Sequence, residues 1–381
     1  MRVLIWPTGS TEDGTSQYRL IQPGEALAAA GYDVTIVHGR GPEIFWDTPW
    51  DPRKNGGDPP PQAKALGLVK TPDADIVVIN RPAKRWWVEV IPLLQQAGVR
   101  VVIDLDDRLD AIDDGNVARS TFDPKGPRGH WLNYEFLAES CKLADLVVAS
   151  TPSIAGRFGF GHAVVLPNLV PERYLSIRPV DRLPASFGWT GTVDTHPRDL
   201  QEAADGLQRV LDATAWGFHV VGTGKGVRDA LGLSEAVTAS GWVPFDEYPH
   251  EMARITVGIV PLADTVFNRG KSALKMSEMA ALCVPVVASP TPDNVRLNKL
   301  GIGRIANSPG QWRKHLRALA MNPGYREDMG QHGREVMAGQ TYERLAERWW
   351  DAWATTLANG SRVAAAQEKL DRLLGGSVAA G

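Results

Sequence analysis

The 381-residue sequence contains little cysteine, no excess charge of one sign and no long apolar run. Its two cysteines, Cys141 and Cys283, each occur in an apolar helical context. That context indicates buried thiols in a reducing compartment and argues against a disulfide framework. No stretch approaches the roughly 18 apolar residues of a membrane span, and the apolar run after Met1 is too short for a signal peptide. We therefore expect a soluble, cytoplasmic protein.

The charge is nearly balanced, with 41 lysines and arginines against 44 aspartates and glutamates and a formal net charge of −3. A polycationic surface is what condenses nonspecifically on nucleic acid or anionic lipid, so the overall composition gives no support to such a partner. The length exceeds the roughly 250–300 residues at which single hydrophobic cores stop growing. Two domains are therefore expected.

Short apolar runs rich in β-branched residues alternate with helical patterns along the chain. Such runs are typical of parallel strands that are covered on both faces. The predicted strands are residues 3–6, 34–37, 76–79, 99–103, 146–149 and 163–166, followed by 186–189, 218–221, 256–260, 284–288 and 302–306. The predicted fold is α/β, with two tandem Rossmann-like, doubly wound domains and the ligand in a cleft at the carboxyl ends of their strands.

The domain limits follow from the breaks in this alternation. The helical patterns are residues 18–30, 86–97, 131–144, 198–213, 272–282, 310–320 and 325–338. Residues 167–184 hold four prolines and little periodicity, as a linker does. We predict a first domain over 1–170, a linker over 171–185, a second domain over 186–340, a tryptophan-rich helix over 341–358 and a peripheral tail over 359–381. The proline-rich loop 38–62 is a candidate lid.

Two polar segments follow predicted strands of the first domain. After the first strand, Gly9 lies in a turn that could bring backbone N–H groups to a ligand, and Arg19 could hold an anion; an ordinary β/α turn is the alternative. Asp104, Asp106 and Asp107 directly follow another strand. Crowded carboxylates could bind a divalent metal, could orient hydroxyl groups or transfer a proton, or could simply cap a loop.

Two segments of the second domain have the composition of ligand-binding loops. Residues 222–226 resemble a dinucleotide loop, but the third glycine of that fingerprint would fall at Val227, so a close backbone turn is favoured over a dehydrogenase. Lys271 and Lys275 lie one turn apart beside a predicted helix start near Ser272, an arrangement suited to a phosphate group. Glu278, on the same face, could bind a diol, and a surface ion pair with Lys275 is the alternative.

Taken in order, these segments resemble nucleotide-sugar glycosyltransferases of the two-domain GT-B type, in particular family 4 (glycosyl transferases group 1), over roughly residues 1–355. The resemblance rests on the opening strand with Tyr18 and Arg19, on residues 145–152 and 188–200, and most specifically on 267–289. It implies an acceptor domain, a donor domain, and a C-terminal helix that crosses back to pack on the first domain.

The resemblance also implies roles for individual residues. Glu278 matches the carboxylate that grips the nucleotide ribose, and Lys271 and Lys275 fall where cations meet the diphosphate. The implied donor-binding set is completed by Gly9, Arg19, Thr190, Gly191, His196, Arg198, Gly222, Phe267, Asn268 and Ser272. Family members often have two glutamates separated by seven residues on this segment. Glu278 corresponds to the later one, and the position of the earlier one is occupied by Gly270.

The implied mechanism needs neither a cofactor nor a metal. Lys271 and Arg198 would stabilise the charge on the leaving diphosphate, and Asp106 or Asp107 would orient the acceptor hydroxyl or take its proton. Retention of configuration is implied by the resemblance alone. A non-catalytic nucleotide-sugar binder or an isomerase on the same scaffold is the alternative.

The acceptor is less well defined by the sequence. Aromatic rings can stack on a sugar or on an unpaired base, and the first domain offers Trp46, Trp50, Trp86, Trp87 and Trp131. A local basic rim could form from Arg81, Lys84, Arg85, Lys125 and Arg128. A glycan, a small molecule and a hydroxylated base in DNA all remain candidate acceptors. Residues 242–248 are the expected nucleobase loop.

Overall fold

The structure is a computed structural model and describes residues 1–38, 41–50, 60, 62–122, 133–178, 182–183, 185–234 and 236–359. Trp131, Lys125, Arg128, most of the predicted tail and parts of the predicted linker and lid lie outside the described residues. The chain forms two compact units. Unit 1 comprises Met1–Asp110, Ser120–Pro167 and the chain from Ala346 onward, and unit 2 comprises Ala111–Arg119 and Asn168–Leu345.

The strands agree with the apolar runs of the sequence and add three short ones. They are β1 Val3–Trp6, β2 Val34–Ile36, β3 Ile44–Trp46, β4 Ala65–Leu68, β5 Ile76–Asn80, β6 Arg100–Leu105, β7 Leu146–Ala149, β8 Ala163–Val165, β9 Ser186–Thr190, β10 Gly217–Val221, β11 Val237–Ala239, β12 Val257–Val260, β13 Val286–Ala288 and β14 Gly303–Ile305. β3 and β4 pair antiparallel, inside the region predicted as a lid and just after it.

The helices are α1 Gly14–Ser16, α2 Gln22–Ala29, α3 Arg85–Gln96, α4 Arg119–Phe122, α5 Asn133–Leu143, α6 Pro152–Phe158, α7 Arg173–Ser176, α8 Ala204–Leu211, α9 Val227–Leu231, α10 Tyr248–Ala253, α11 Val266–Arg269, α12 Leu274–Ala281, α13 Pro292–Asn298, α14 Pro309–Met321, α15 Pro323–Met337, α16 Tyr342–Leu345 and α17 Glu347–Ala358. Short 3₁₀ turns occur at Val193–Thr195 and Leu200–Glu202, and the second of these replaces the start of the helix predicted over 198–213. None of these helices in the described part of the chain is both long and apolar enough to span a membrane.

Each unit contains one six-stranded sheet whose strands are all parallel. The order is β2-β1-β5-β6-β7-β8 in unit 1 and β11-β10-β9-β12-β13-β14 in unit 2. The inner strands β5 and β9 are buried along their whole length, as is typical of parallel strands that are covered on both faces. The prediction of two doubly wound α/β domains is confirmed.

The helix predicted over 18–30 begins as a π-helical turn, Gln17–Ile21, before α2. Pro23 is the second residue after this turn. Because proline has no N–H to donate, Pro23 cannot make the usual helical hydrogen bond to the carbonyl of Arg19. The Gln22 N–H instead donates to the carbonyl of Gln17, five residues earlier. The widened turn places Arg19 inside unit 1, where its side chain is fully buried.

The tryptophan-rich segment consists of two helices instead of one, of which α16 belongs to unit 2 and α17 to unit 1. α17 packs against α2 and β6. Trp349 and Trp353 are buried, and Trp350 contacts the ring of Tyr32 at a centroid distance of 4.5 Å. The Tyr32 hydroxyl donates to Glu347 Oε1 at 2.8 Å. The aromatic face of α17 is thus covered by the first Rossmann-like unit.

The two cysteines differ in their surroundings. Cys141 is buried on α5, and burial raises the pKa of its thiol far above the ordinary value. Cys283 is only half-buried, so the expectation of a second buried thiol is wrong. It follows α12 in a left-handed backbone conformation, with φ of 56°, and therefore ends the helix instead of lying within it.

Candidate active site

The strand order reverses beside the first strand of each sheet, between β1 and β5 in unit 1 and between β9 and β12 in unit 2. In open α/β sheets, ligands bind outside the carboxyl ends of the strands at such a point. Most of the polar residues selected from the sequence follow these strands or their immediate neighbours. Each unit therefore presents its own candidate site.

In unit 1, Arg81 holds the carboxylates that follow β6. Its Nε and Nη2 donate to Asp106 Oδ1 at 2.9 and 2.6 Å, and Nη2 also donates to Asp107 Oδ2 at 2.9 Å. Thr15 Oγ1 donates to Asp106 Oδ2 at 2.8 Å. Arg81 adopts a φ of 43°, a left-handed conformation that costs a non-glycine residue about 1 kcal/mol or more. Sequence reasoning placed Arg81 in a surface rim and missed this pairing.

The Arg81 guanidinium decides how the carboxylates behave. Burial raises the pKa of Asp106, but the Arg81 charge and the Thr15 hydrogen bond lower it more, so the net pKa is below the ordinary value. A carboxylate with a lowered pKa and both oxygens already accepting hydrogen bonds is a weak proton acceptor. Asp107 is the more accessible of the two, with 22 % of its side chain exposed against 14 % for Asp106. Among the described residues, no group of three or more His, Cys, Asp or Glu side chains is arranged to hold a metal.

Arg19 requires a correction to the anion-binding role expected for it. Its Nε and Nη2 donate to Asp104 at 2.6 and 3.1 Å, and both side chains are 0 % exposed. Nη1 donates to the Leu166 carbonyl at 2.8 Å, and the guanidinium carbon lies 5.8 Å from the centre of the Trp349 ring. The buried guanidinium is committed to Asp104, so Arg19 stabilises unit 1 and does not face a ligand.

Gly9 packs closely against side chains of its own loop. A Cβ added there would lie 2.9 Å from Asp13 Oδ2 and 3.1 Å from Ser16 Oγ, so these side chains would have to shift. The Asp13 carboxylate caps α1 by accepting from the Thr15 N–H. Ligand binding by the backbone N–H groups of this turn stays a prediction.

In unit 2, the two lysines selected from the sequence are each held on an aromatic face. Lys275 Nζ donates to the Thr190 carbonyl and lies 5.6 Å from the centre of the Trp189 ring. Lys271 Nζ lies 4.5 Å from the centre of the Phe267 ring. Burial lowers the pKa of Lys275 to about 8; Glu278 opposes this shift and Lys271 adds to it. Two neighbouring cations are thus fixed in position at the switch point of the sheet.

The helix that carries these residues starts later than predicted. α12 begins at Leu274, and Asp293 Oδ2 accepts from the Ala273 N–H at 2.7 Å. Ser272 Oγ accepts from Asn168 Nδ2 at 2.9 Å. Asp293 thus uses one N–H group at this helix start, and phosphate binding by the following N–H groups together with the two lysines stays a prediction.

Glu278 lies one turn beyond Lys275 on α12 and is only 2 % exposed. That burial excludes the surface ion pair that was the alternative interpretation. The charge on Glu278, together with burial, raises the pKa of Tyr248 well above the ordinary value, so the two side chains are neighbours. Tyr248 ends the segment expected to form the nucleobase loop, and Trp242 at its start is 69 % exposed. A buried carboxylate with a charged lysine and a tyrosine beside it can accept hydrogen bonds from a diol.

His196 is paired with an aspartate that sequence reasoning missed. His196 Nδ1 lies 2.7 Å from Asp199 Oδ2, while Asp199 Oδ1 accepts from the Ala263 N–H at 2.9 Å and from Asn268 Nδ2 at 2.6 Å. Burial lowers the pKa of His196 to about 4, and the same contacts keep the pKa of Asp199 below its ordinary value. With Asp199 ionised, the imidazole is neutral, its proton is on Nδ1 and Nε2 is an acceptor. A neutral imidazole supplies no positive charge to a diphosphate, and Nε2 suits a hydroxyl group; donor binding by His196 stays a prediction.

The remaining donor-side residues surround these side chains. Gly191 has a φ of 143°, and a Cβ there would lie 3.0 Å from the Trp189 ring and 3.2 Å from Lys275 Nζ. A Cβ on Gly222 would lie 2.2 Å from the Gly191 carbonyl oxygen. Both positions therefore need glycine for close backbone packing. Arg198 is exposed on the loop between His196 and Asp199.

The proposed acceptor-side aromatics and cations are partly used within unit 1. Trp87 is 3 % exposed and stacks on Trp86 at 4.2 Å, and Trp46 meets Trp50 edge to face at 5.3 Å. Arg85 pairs with Glu89 in an i, i+4 ion pair. Since Arg81 is also paired with carboxylates, the described part of the basic rim offers little unneutralised positive charge.

The chain is similar in fold to several solved glycosyltransferases. A glycosyltransferase of Rickettsia africae superposes with a TM-score of 0.62 at 11 % identity, over 94 % of this chain and 99 % of that one. Sucrose-phosphate synthase of Thermosynechococcus elongatus gives 0.60 at 13 % identity, over 94 % and 100 %. Anabaena HepE, solved with UDP and glucose, gives 0.59 at 12 % identity, over 94 % and 99 %. These likenesses show the GT-B fold.

The part of the sequence that matches a known family lies almost entirely within unit 2. Residues 198–351 match a family model described as "Glycosyl transferase-like". That segment contains Arg198, Lys271, Lys275 and Glu278. No curated protein sequence matches the chain. The family model and the shared fold confirm the resemblance to GT-B glycosyltransferases that the motifs predicted.

Proposed function

We propose that this chain, which has the GT-B fold and a glycosyl transferase-like segment over residues 198–351, moves a sugar from a nucleoside-diphosphate sugar to an acceptor hydroxyl. The observation that carries the proposal is the placement of Lys271 and Lys275 on aromatic faces beside the buried Glu278. Two cations next to a carboxylate match a diphosphate joined to a ribose diol. UDP is the first nucleotide to test, because it was bound by Anabaena HepE.

The donor is held by fixed groups in this proposal. The diphosphate accepts hydrogen bonds from the two lysines, and the ribose hydroxyls donate to Glu278. When the bond to the sugar breaks, negative charge grows on the diphosphate, and cations already in place stabilise it without reorganisation. Because Lys271 and Lys275 meet this charge, the proposed step requires no metal. Retention of configuration completes the proposal, by analogy with the family.

The acceptor is activated by the carboxylates of unit 1. Asp107 orients the acceptor hydroxyl or takes its proton, since it is the more exposed of the pair. Asp106, with both oxygens accepting hydrogen bonds, positions Arg81 and through it Asp107. The acceptor proposed is a glycan or a hydroxylated base in DNA.

A binding screen tests this proposal directly. UDP, GDP, ADP and their glucose esters, with NAD as the control, are compared by thermal shift and then by sugar transfer or hydrolysis. A ligand at 100 times its Kd should stabilise the folded state by about 2.7 kcal/mol. The shift should disappear in Lys275→Met. Stabilisation by none of the nucleotides contradicts the proposal, whereas binding without turnover of any donor supports a non-catalytic binder.

The affinity for UDP should fall as the pH rises through about 8. Burial lowers the pKa of Lys275 to about 8, so the free protein loses this positive charge in mildly alkaline solution. Binding then requires uptake of a proton, which weakens affinity by up to about tenfold per pH unit above that value. Calorimetric Kd values from pH 7 to pH 9.5 measure the slope, and Lys275→Met should bind weakly with no such slope.

The stability of the free protein should depend on pH in the opposite direction to its affinity for UDP. Since the folded-state pKa of Lys275 lies below its unfolded value, the unfolded chain binds more protons between about pH 8 and 10.5. The contribution of this lysine to stability therefore increases with pH over the range in which UDP affinity declines. A Kd that is constant from pH 7 to 9.5 would show that Lys275 does not meet the phosphates.

A further inference from the structure

Residues Ala111–Arg119 follow the Asp106 and Asp107 loop in sequence but belong to unit 2. Asn116 Nδ2 donates to the Thr195 carbonyl at 3.0 Å, and the Val117 N–H donates to the Asp194 carbonyl at 3.0 Å. These bonds attach the segment to the loop that carries His196 and Arg198. The segment is therefore positioned to contribute a side chain to the donor site.

Asp113 is the side chain in question. Its Oδ2 accepts from Thr265 Oγ1 at 2.9 Å, and Thr265 Oγ1 in turn accepts from the Asn268 N–H at 3.1 Å. Thr265 lies five positions before Gly270, where the family pattern would have a carboxylate. Asp113 thus brings a carboxylate from a distant part of the sequence to a loop that has glycine at position 270 and whose own carboxylate, Asp264, is exposed and paired with Arg269.

The electrostatic neighbours of Asp113 indicate its place within the site. Burial raises its pKa, as does Asp199, whereas the Thr265 hydrogen bond and the charges on Arg198 and Lys271 act in the opposite direction. Lys275, by contrast, is influenced by both Glu278 and Lys271. Lys271 therefore lies within electrostatic range of both Asp113 and Lys275, and Lys275 lies within range of Glu278. If Glu278 holds the ribose and the lysines hold the diphosphate, Asp113 lies where the transferred sugar extends.

We propose that Asp113, held by Thr265, binds hydroxyl groups of the donor sugar and selects which sugar is transferred. This inference rests on the proposed function. A carboxylate accepts charge-assisted hydrogen bonds from hydroxyls, and these are roughly twice as strong as neutral ones. A site built around such bonds discriminates strongly against a sugar whose hydroxyl points elsewhere, because its polar groups are then left without partners.

The test separates sugar binding from nucleotide binding. Kd values for UDP, UDP-glucose and UDP-galactose are measured by calorimetry on the full chain and on Asp113→Asn. Asn keeps an oxygen for Thr265 and removes the charge. We expect the Kd for UDP to stay within twofold of the original value. The preference between the two UDP-sugars should shrink at least tenfold.

Thr265→Val is the matched control, because it removes the hydrogen bond to Asp113 and keeps the carboxylate. If Asp113 merely fastens its segment to unit 2, Thr265→Val and Asp113→Asn should impair UDP and UDP-sugar binding to similar degrees, and the inference is overturned. An Asp113→Asn protein with unchanged sugar preference also overturns it. If the unaltered protein binds none of the three ligands, the proposed function itself fails, which is a different result.

Discussion

Glu278→Gln should lower kcat/KM for the sugar donor by at least about 100-fold. Glutamine has the shape of glutamate without its charge, so each hydrogen bond from a ribose hydroxyl loses its charge assistance, about 1 kcal/mol or more. The charge on Glu278 also raises the pKa of Lys275, against the lowering by burial. Without it, Lys275 becomes partly neutral near pH 7 and binds the diphosphate less well. Steady-state kinetics with saturating acceptor measure the combined loss.

The matched control is Glu327→Gln, which makes the same chemical change at an exposed position on α15. Its kcat/KM should stay within twofold of the original value. Thermal unfolding of both variants distinguishes loss of function from loss of fold. A folded Glu278→Gln protein with unaltered kcat/KM would remove the carboxylate from the donor site and the proposed ribose contact with it.

Most strands of the parallel sheets could be predicted from sequence because the inner strands are buried on both faces and therefore read as mainly apolar runs. The strands that were missed lack this signal. In β3 the middle residue, Phe45, is 58 % exposed, and in β11 the last two residues are exposed. In addition, β3 lies in a proline-rich stretch. Their pairing depends on neighbours distant in sequence, which a local pattern does not encode.

The same distinction applies to the sites. Lys275 and Glu278 could be selected together because helical spacing alone puts them near one another, and Lys271 lies just before the same helix. Arg81 and Asp106 are 25 positions apart, and Thr265 and Asp113 are 152 apart. Such partners become neighbours only when strands and loops meet at the end of a sheet. For the same reason, the sequence did not reveal that Arg19, 85 positions from Asp104, pairs with it in the interior.

The buried pair between Arg19 and Asp104 leads to the second large effect. Arg19→Met should destabilise the protein by about 3–5 kcal/mol, because it leaves a carboxylate without its counter-ion at a position that is 0 % exposed. The Leu166 carbonyl loses a donor at the same time. Urea denaturation followed by tryptophan fluorescence measures the loss. Arg209→Met, which breaks an exposed ion pair with Asp205, should cost less than about 1 kcal/mol.

Two further measurements identify unpaired charge as the cause. Burial raises the pKa of Asp104 to about 7 even though the charge and hydrogen bonds of Arg19 lower it. Removal of the Arg19 guanidinium should therefore raise the pKa of Asp104 further. When the pKa of a carboxyl group is raised in the folded state, the protein loses stability as the pH rises from about 4 through that pKa. The loss of stability caused by Arg19→Met should therefore be smaller at pH 5 than at pH 8. Arg19→Met combined with Asp104→Leu should recover most of the loss, since an apolar pair of similar volume can replace a buried ion pair. A penalty independent of pH and unrelieved by the second substitution would instead attribute the effect to lost packing against Trp349.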